Sequence, residues 1–178
     1  ANWRERRVGW SDSIPLRRWH LNDPGVVPNL LQTGSGSPTG MIVYEGDLLP
    51  DLYKHQMIHA EPGHNVVRSY IVENDGAGYK AHIENLVTSM DDWFRPDDVT
   101  VAPDGSLFVS DWYDGGVGGH KAEDIVRGRI YHISTKEGYK PAKLDFSSGE
   151  AASNGLLSDN MDVFYQSWQK LHSMGEEA

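Results

Sequence analysis

Between residues 40 and 136 the chain alternates short apolar runs with clusters of turn-forming residues. Met41-Ile42-Val43-Tyr44, Met57-Ile58-His59-Ala60 and Val66-Val67-Arg68-Ser69-Tyr70-Ile71-Val72 are strand-sized and rich in β-branched or aromatic side chains. Residues 81–87 make a fourth such run. Asn74-Asp75-Gly76 before it supplies the φ > 0 position that a tight hairpin needs. The pattern then restarts. Asp98-Val99-Thr100-Val101, the turn Pro103-Asp104-Gly105, Leu107-Phe108-Val109-Ser110-Asp111, a glycine-rich loop from Asp114 to Gly119, and Arg129-Ile130-Tyr131-His132-Ile133 follow in order. The two series are offset by about 57 residues, from Gly40 to Asp97. Several strands per unit at a period near 50 is the pattern of propeller blades.

The flanks differ. Residues 1–39 have no clean period and carry Asn22-Asp23-Pro24-Gly25 and Gly34-Ser35-Gly36-Ser37-Pro38, so they read mostly as loop. Lys140-Pro141 to Gly149 reads as a linker. Met161, Phe164, Trp168 and Leu171 then recur at helical spacing, with Asp159 or Asn160 to cap the start and Gly175 to end it. The expected fold class is mainly β: a partial β-propeller of the last two or so blades, each an antiparallel four-stranded sheet, then the start of a helical region. The expected divisions are 1–136, a linker over 137–155, and helix over 156–178.

Composition narrows the classes. Nineteen Gly and nine Pro favour turns over a helical bundle, and six Trp with eight Tyr argue against a disordered acidic tail. No apolar run reaches the roughly 18 residues of a membrane helix. Zero Cys removes disulfides, Cys-based zinc sites and c-type haem attachment within this chain. Arg4, Arg6, Arg7, Arg17 and Arg18 make the start basic, yet the whole chain carries −10, which repels phosphate and disfavours nucleic acid. No apolar stretch follows those arginines as a signal peptide would require, and the first residue is Ala1. The expectation is therefore an internal piece of a longer protein. As an isolated polypeptide it should be marginal or associate through open strand edges. No phosphate-binding Gly loop, Gly-x-Ser-x-Gly elbow or His-Glu-x-x-His is present, which disfavours nicotinamide dehydrogenases, common serine hydrolases and zincins.

The stretch Trp93-Phe94-Arg95-Pro96-Asp97-Asp98-Val99-Thr100-Val101-Ala102-Pro103-Asp104-Gly105-Ser106-Leu107, continued by Ser110-Asp111-Trp112-Tyr113-Asp114 and Gly118-Gly119-His120, resembles the large secreted dehydrogenase-like proteins of planctomycetes. These are similar to glucose/sorbosone dehydrogenases. Trp19-His20-Leu21-Asn22-Asp23-Pro24-Gly25, Ser37-Pro38-Thr39-Gly40, Arg127-Gly128-Arg129-Ile130-Tyr131 and Trp168-Gln169-Lys170-Leu171-His172 extend the likeness over nearly the whole chain. The resemblance implies a β-propeller, HEAT-like repeats and a downstream haem c domain with Cys-x-x-Cys-His. It implies a periplasmic or secreted sugar or alcohol dehydrogenase using pyrroloquinoline quinone (PQQ). The partners it implies are a small sugar or alcohol and the remainder of the same polypeptide.

That resemblance also places candidate residues. Arg95 matches the first Arg of an Arg-x-Arg-Asp-Val segment that holds the anionic cofactor. Asp97 stands at the second Arg, and the loop Glu61-Pro62-Gly63-His64-Asn65 lacks the family's Lys. Cofactor-binding candidates are Arg95, His64 and Asn65. For Arg95 the structural alternative is a salt bridge to Asp97, Asp98 or Asp111. His59 and Glu61 join the His64 group, His59 with the alternative of a satisfied polar residue inside the sheet. Asp111 and Asp114, near Asp124, are Ca²⁺ candidates, with loop capping as the alternative. His120 is the catalytic candidate, as proton carrier or substrate contact. Trp112 and Tyr113 either stack on a sugar ring or wedge between blades. A second function stays open: a non-catalytic propeller that binds carbohydrate or a protein partner.

Overall fold

The computed structural model describes residues 30, 31, 33, 39–115, 126–137 and 143–175. Among these residues, seven strands form two antiparallel sheets in sequence. The first is β1 (Met41–Val43), β2 (Met57–Glu61), β3 (Val66–Asp75) and β4 (Gly78–Thr88), paired in that order. The second is β5 (Pro96–Val101), β6 (Leu107–Asp111) and β7 (Arg129–Ile133). Helices α1 (Gly149–Asn154) and α2 (Met161–Met174) follow. The protein is mainly β: two blade-like antiparallel sheets followed by helices. Among the described residues the first sheet has four strands and the second has three. The β3–β4 hairpin is longer than the apolar run suggests, pairing through Asp75 and Gly78 and turning at Gly76, φ 61°.

The core lies between the sheets. Ile58, Ala60 and Val67 from the first meet Val99, Leu107 and Val109 from the second. Tyr44 closes it at one end. Its hydroxyl donates to Gly105 O (2.7 Å) and accepts from the N–H groups of Leu48 (3.1 Å) and Leu49 (2.8 Å). Gly105 sits at φ 84°, which its turn requires, and a Cβ on Gly46 would lie 2.6 Å from the Gly105 Cα. The other face of β2 and β3 is buried as well, although it is polar: His59, Glu61, Arg68 and Tyr70.

Antiparallel connectivity sorts the connections to two ends. The β1–β2 and β5–β6 connections meet at the hairpin end, as the Tyr44–Gly105 bond shows. The β2–β3 turn, the β4–β5 loop and the start of the β6–β7 loop meet at the opposite, loop end. There Asn65 Nδ2 donates to Asp92 O (3.1 Å) and Phe94 O (2.6 Å), tying the two sheets together.

The helices dock at the hairpin end. Asn160 caps α2, its Oδ1 accepting from Asp162 N (3.0 Å), while its Nδ2 donates to Ala102 O (2.9 Å). The stretch expected as linker contains α1, capped by Ser148 Oγ accepting from Ala151 N (3.1 Å). On α2, Met161 and Trp168 of the apolar stripe are exposed, and the face turned inward centres on Ser167. Gly155 explains this, because a Cβ there would sit 1.8 Å from Ser167 Oγ. The glycine lets α2 approach on its small-residue face rather than its aromatic one.

Candidate functional site at the loop end

Asp111, at the end of β6, organises the loop end. Its Oδ1 accepts from the backbone N–H groups of Arg95 (2.8 Å) and Tyr113 (2.9 Å). Its Oδ2 accepts from Arg129 Nε (3.0 Å) and pairs with Arg129 Nη2 (2.9 Å). Asp111 and Arg129 are cross-strand partners in the β6–β7 register, so the strand pairing itself brings them together. The bond to Tyr113 N holds that residue at φ 53°, a left-handed conformation costly for a side-chain-bearing residue.

This geometry builds an exposed aromatic platform. The Arg129 guanidinium lies 3.8 Å from the Tyr113 ring centroid. The Tyr113 and Trp93 rings are 5.6 Å apart, and the Arg127 guanidinium is 5.8 Å from Trp93. Such contacts hold rings and cations in fixed relative positions. The Trp93 side chain remains 37 % exposed. Asp91 borders it, with Oδ1 accepting from Trp93 N (3.0 Å) and Oδ2 3.5 Å from Arg129 Nη2. The Trp93 N–H is the main cause holding the Asp91 carboxyl below its ordinary pKa, so it stays ionised.

Arg95 lies beneath this layer, 9 % exposed. Its guanidinium donates to Pro62 O (3.2 Å), Phe94 O (3.3 Å) and Gly115 O (3.4 Å), and its buried Nε–H has no acceptor. The expected alternative of a salt bridge to Asp97, Asp98 or Asp111 is therefore corrected. Asp97 Oδ1 accepts from Ser110 Oγ (2.7 Å), Asp98 Oδ1 accepts from Val99 N (2.9 Å), and Asp111 is taken by Arg129. His64 Nδ1 accepts from Arg68 Nη2 (2.6 Å), and burial with the Arg68 charge lowers its pKa, favouring neutral imidazole. Asn65, at φ 59°, acts as a tie between sheets. Trp112 is half-buried and its Nε1–H has no acceptor.

Of the Ca²⁺ candidates, Asp111 fits a cation poorly. Both oxygens of Asp111 are committed to this chain's own donors. Among the described residues no group of three or more His, Cys, Asp or Glu is placed to hold a metal. Asp114 lies in the loop after β6, half-buried. His120 and Asp124 lie outside the described residues, as do the N-terminal arginines.

Residues 11–137 match the family model for the domain of unknown function DUF7133. The chain belongs to the DUF7133 family. No curated protein matches it. The chain is similar to the crystal structure of a Thermus thermophilus protein named as an oxidoreductase (glucose dehydrogenase). The identity is 20 % and the TM-score 0.42, covering 63 % of this chain and 30 % of that one. In this DUF7133 chain the loop end also uses residues that spacing did not single out as site members: Asp91, Trp93, Arg68 and Arg129. For Arg129 a signal existed, since pairing the last two strands sets it opposite Asp111. Among the described residues no helix is long and apolar enough to cross a membrane.

Proposed function

We propose that this chain forms part of an oxidoreductase-type propeller acting on sugars or related alcohols outside the cytoplasm, with the loop end as its site. The carrying observation is the exposed Trp93 ring packed on the half-buried Tyr113, bordered by the Asp91 carboxylate and the guanidinium groups of Arg127 and Arg129. An aromatic face suits the C–H face of a pyranose, and charged hydrogen-bonding groups beside it suit the ring hydroxyls. In this reading Trp93, rather than Trp112, is the stacking residue.

Arg95 fits an anionic cofactor such as PQQ. It is a buried guanidinium with carbonyl partners, no carboxylate partner among the described residues and an unused Nε–H. A bound quinone supplies the acceptor for the two electrons of alcohol oxidation. The chain's own part is to hold that anion at Arg95 and to orient the alcohol on Trp93. The haem domain and the HEAT-like continuation of α1 and α2 belong to the same proposal. A non-catalytic carbohydrate- or partner-binding propeller is the second reading. It is favoured by Asp97 at the second Arg position, where it bonds Ser110, and by the absence of Lys from the β2–β3 turn.

Tryptophan fluorescence on titration with glucose and other aldoses tests the platform. Wild type and Trp112→Phe should respond saturably, and Trp93→Ala should not. A Trp93→Ala variant that binds as wild type, or no response from wild type, refutes the platform.

A further inference from the structure

The polar face of β2 and β3 turned away from the core is used by neither reading above. Arg68 is 5 % exposed there. Its Nη1 donates to Thr33 O (3.2 Å) and its Nη2 to His64 Nδ1 (2.6 Å), both uncharged partners. Its buried Nε–H has no acceptor. Among the described residues no carboxylate is within ion-pair distance of it. Glu61 is fully buried on the same face. Its Oε1 accepts from Gly63 N (2.9 Å), and its buried Oε2 has no partner. The register pairs His59 with Arg68 and Glu61 with Val66, so Glu61 and Arg68 are diagonal neighbours across adjacent strands. Diagonal positions bring long side chains within reach of one another.

A buried cation with no ion pair among the described residues, next to a buried carboxyl with an idle oxygen, is costly unless a further group completes it. We propose that this face binds one small oxyanion, a carboxylate or phosphate group, between Arg68 Nε–H and Glu61 Oε2. The Arg68 charge and Nε–H hold the anion, and the Glu61 carboxyl in its neutral form donates its O–H. Burial raises the Glu61 pKa against the opposing effects of Gly63 N–H and Arg68, which favours that neutral form. Tyr70 is a neutral neighbour of Arg68 rather than its counter-charge. Burial raises its pKa against the lowering effects of the Arg68 charge and its hydrogen bond, and its hydroxyl is engaged with His59 Nδ1 (2.8 Å). The half-buried Gly63 and His64 put the way in at the loop end.

The test is titration of the ¹⁵N-labelled chain with sodium acetate and, separately, sodium phosphate, with sodium chloride as control at equal ionic strength. The readout is the Arg68 Nε–H resonance, assigned by its loss in Arg68→Lys. The site predicts a saturable shift of that resonance with acetate, phosphate or both by tens of millimolar, and none with chloride. Which anion acts identifies the source. Glu61→Gln, which keeps a neutral donor, should bind within a few-fold of wild type. Glu61→Leu should weaken binding about tenfold, the loss expected for one hydrogen bond to a charged ligand. No shift, an equal shift with chloride, or undiminished binding by Glu61→Leu overturns the proposal, with ordered water then completing the cluster.

Discussion

Asp111→Ala is the sharpest probe of how the loop end is held. The carboxylate is 2 % exposed and accepts two backbone N–H bonds as well as both contacts from Arg129. Removing it orphans the N–H groups of Arg95 and Tyr113, at about 1–3 kcal/mol each. The Arg129 pairing adds less, about 0.5–1 kcal/mol, because that side chain is 36 % exposed and solvent screens it. The total is about 2.5–7 kcal/mol, or a fall of roughly 5–28 °C in Tm for a chain of this size. Asp111→Asn keeps an oxygen for the two backbone donors but turns an amide N–H₂ toward Arg129, so it should cost about half as much. Urea unfolding followed by tryptophan fluorescence measures both variants. If Asp111 were instead a cation ligand, Asp111→Ala would leave the metal-free midpoint within about 1 kcal/mol of wild type. Ca²⁺ would then raise only the wild-type midpoint. Either result refutes the hydrogen-bond reading.

Three further outcomes follow from the same geometry. Asn65→Ala should cost about 2–3 kcal/mol in urea unfolding, from two lost ties and an unfavourable left-handed alanine. Asn65→Gly should cost less, because only the ties go. Gly155→Ala should destabilise by about 1–3 kcal/mol through its clash with Ser167, and Ser167→Gly in the same chain should recover part of that. For Glu61 the folded pKa is raised, so the native state keeps a proton that the unfolded state has lost. Stability should therefore fall as pH rises from about 4.5 through the folded value, and Glu61→Gln should flatten that fall across a pH series of midpoints.

The strands were legible because their signals are local: β-branched runs, turn residues and period. Leu107 to Asp111 and Arg129 to Ile133 are found with the expected bounds, and the others differ only at their ends. The helical part was less legible because tertiary approach chose the buried face of α2. The apolar spacing Met161–Phe164–Trp168–Leu171 carries no information about Gly155, which decides that Ser167 faces inward. The site divides similarly. That residues 61–65, 95 and 111 share one end follows from antiparallel connectivity alone. The partner of each charge does not, because Arg95 is held by carbonyls from three separate segments while the arginine that Asp111 pairs with comes from the next strand.

The central claim is that the loop end serves oxidation of a sugar or alcohol. Its most direct measurement is dye reduction by the full-length protein with aldoses and simple alcohols, with and without added PQQ and Ca²⁺. Wild type is run beside Trp93→Ala, Arg95→Lys and Arg95→Ala, each checked for folding by circular dichroism. Quinone-dependent reduction by wild type is predicted, with KM raised in Trp93→Ala and quinone uptake weakened in both Arg95 variants. No quinone-dependent reduction with any of these substrates, or reduction unchanged in all three folded variants, would contradict it.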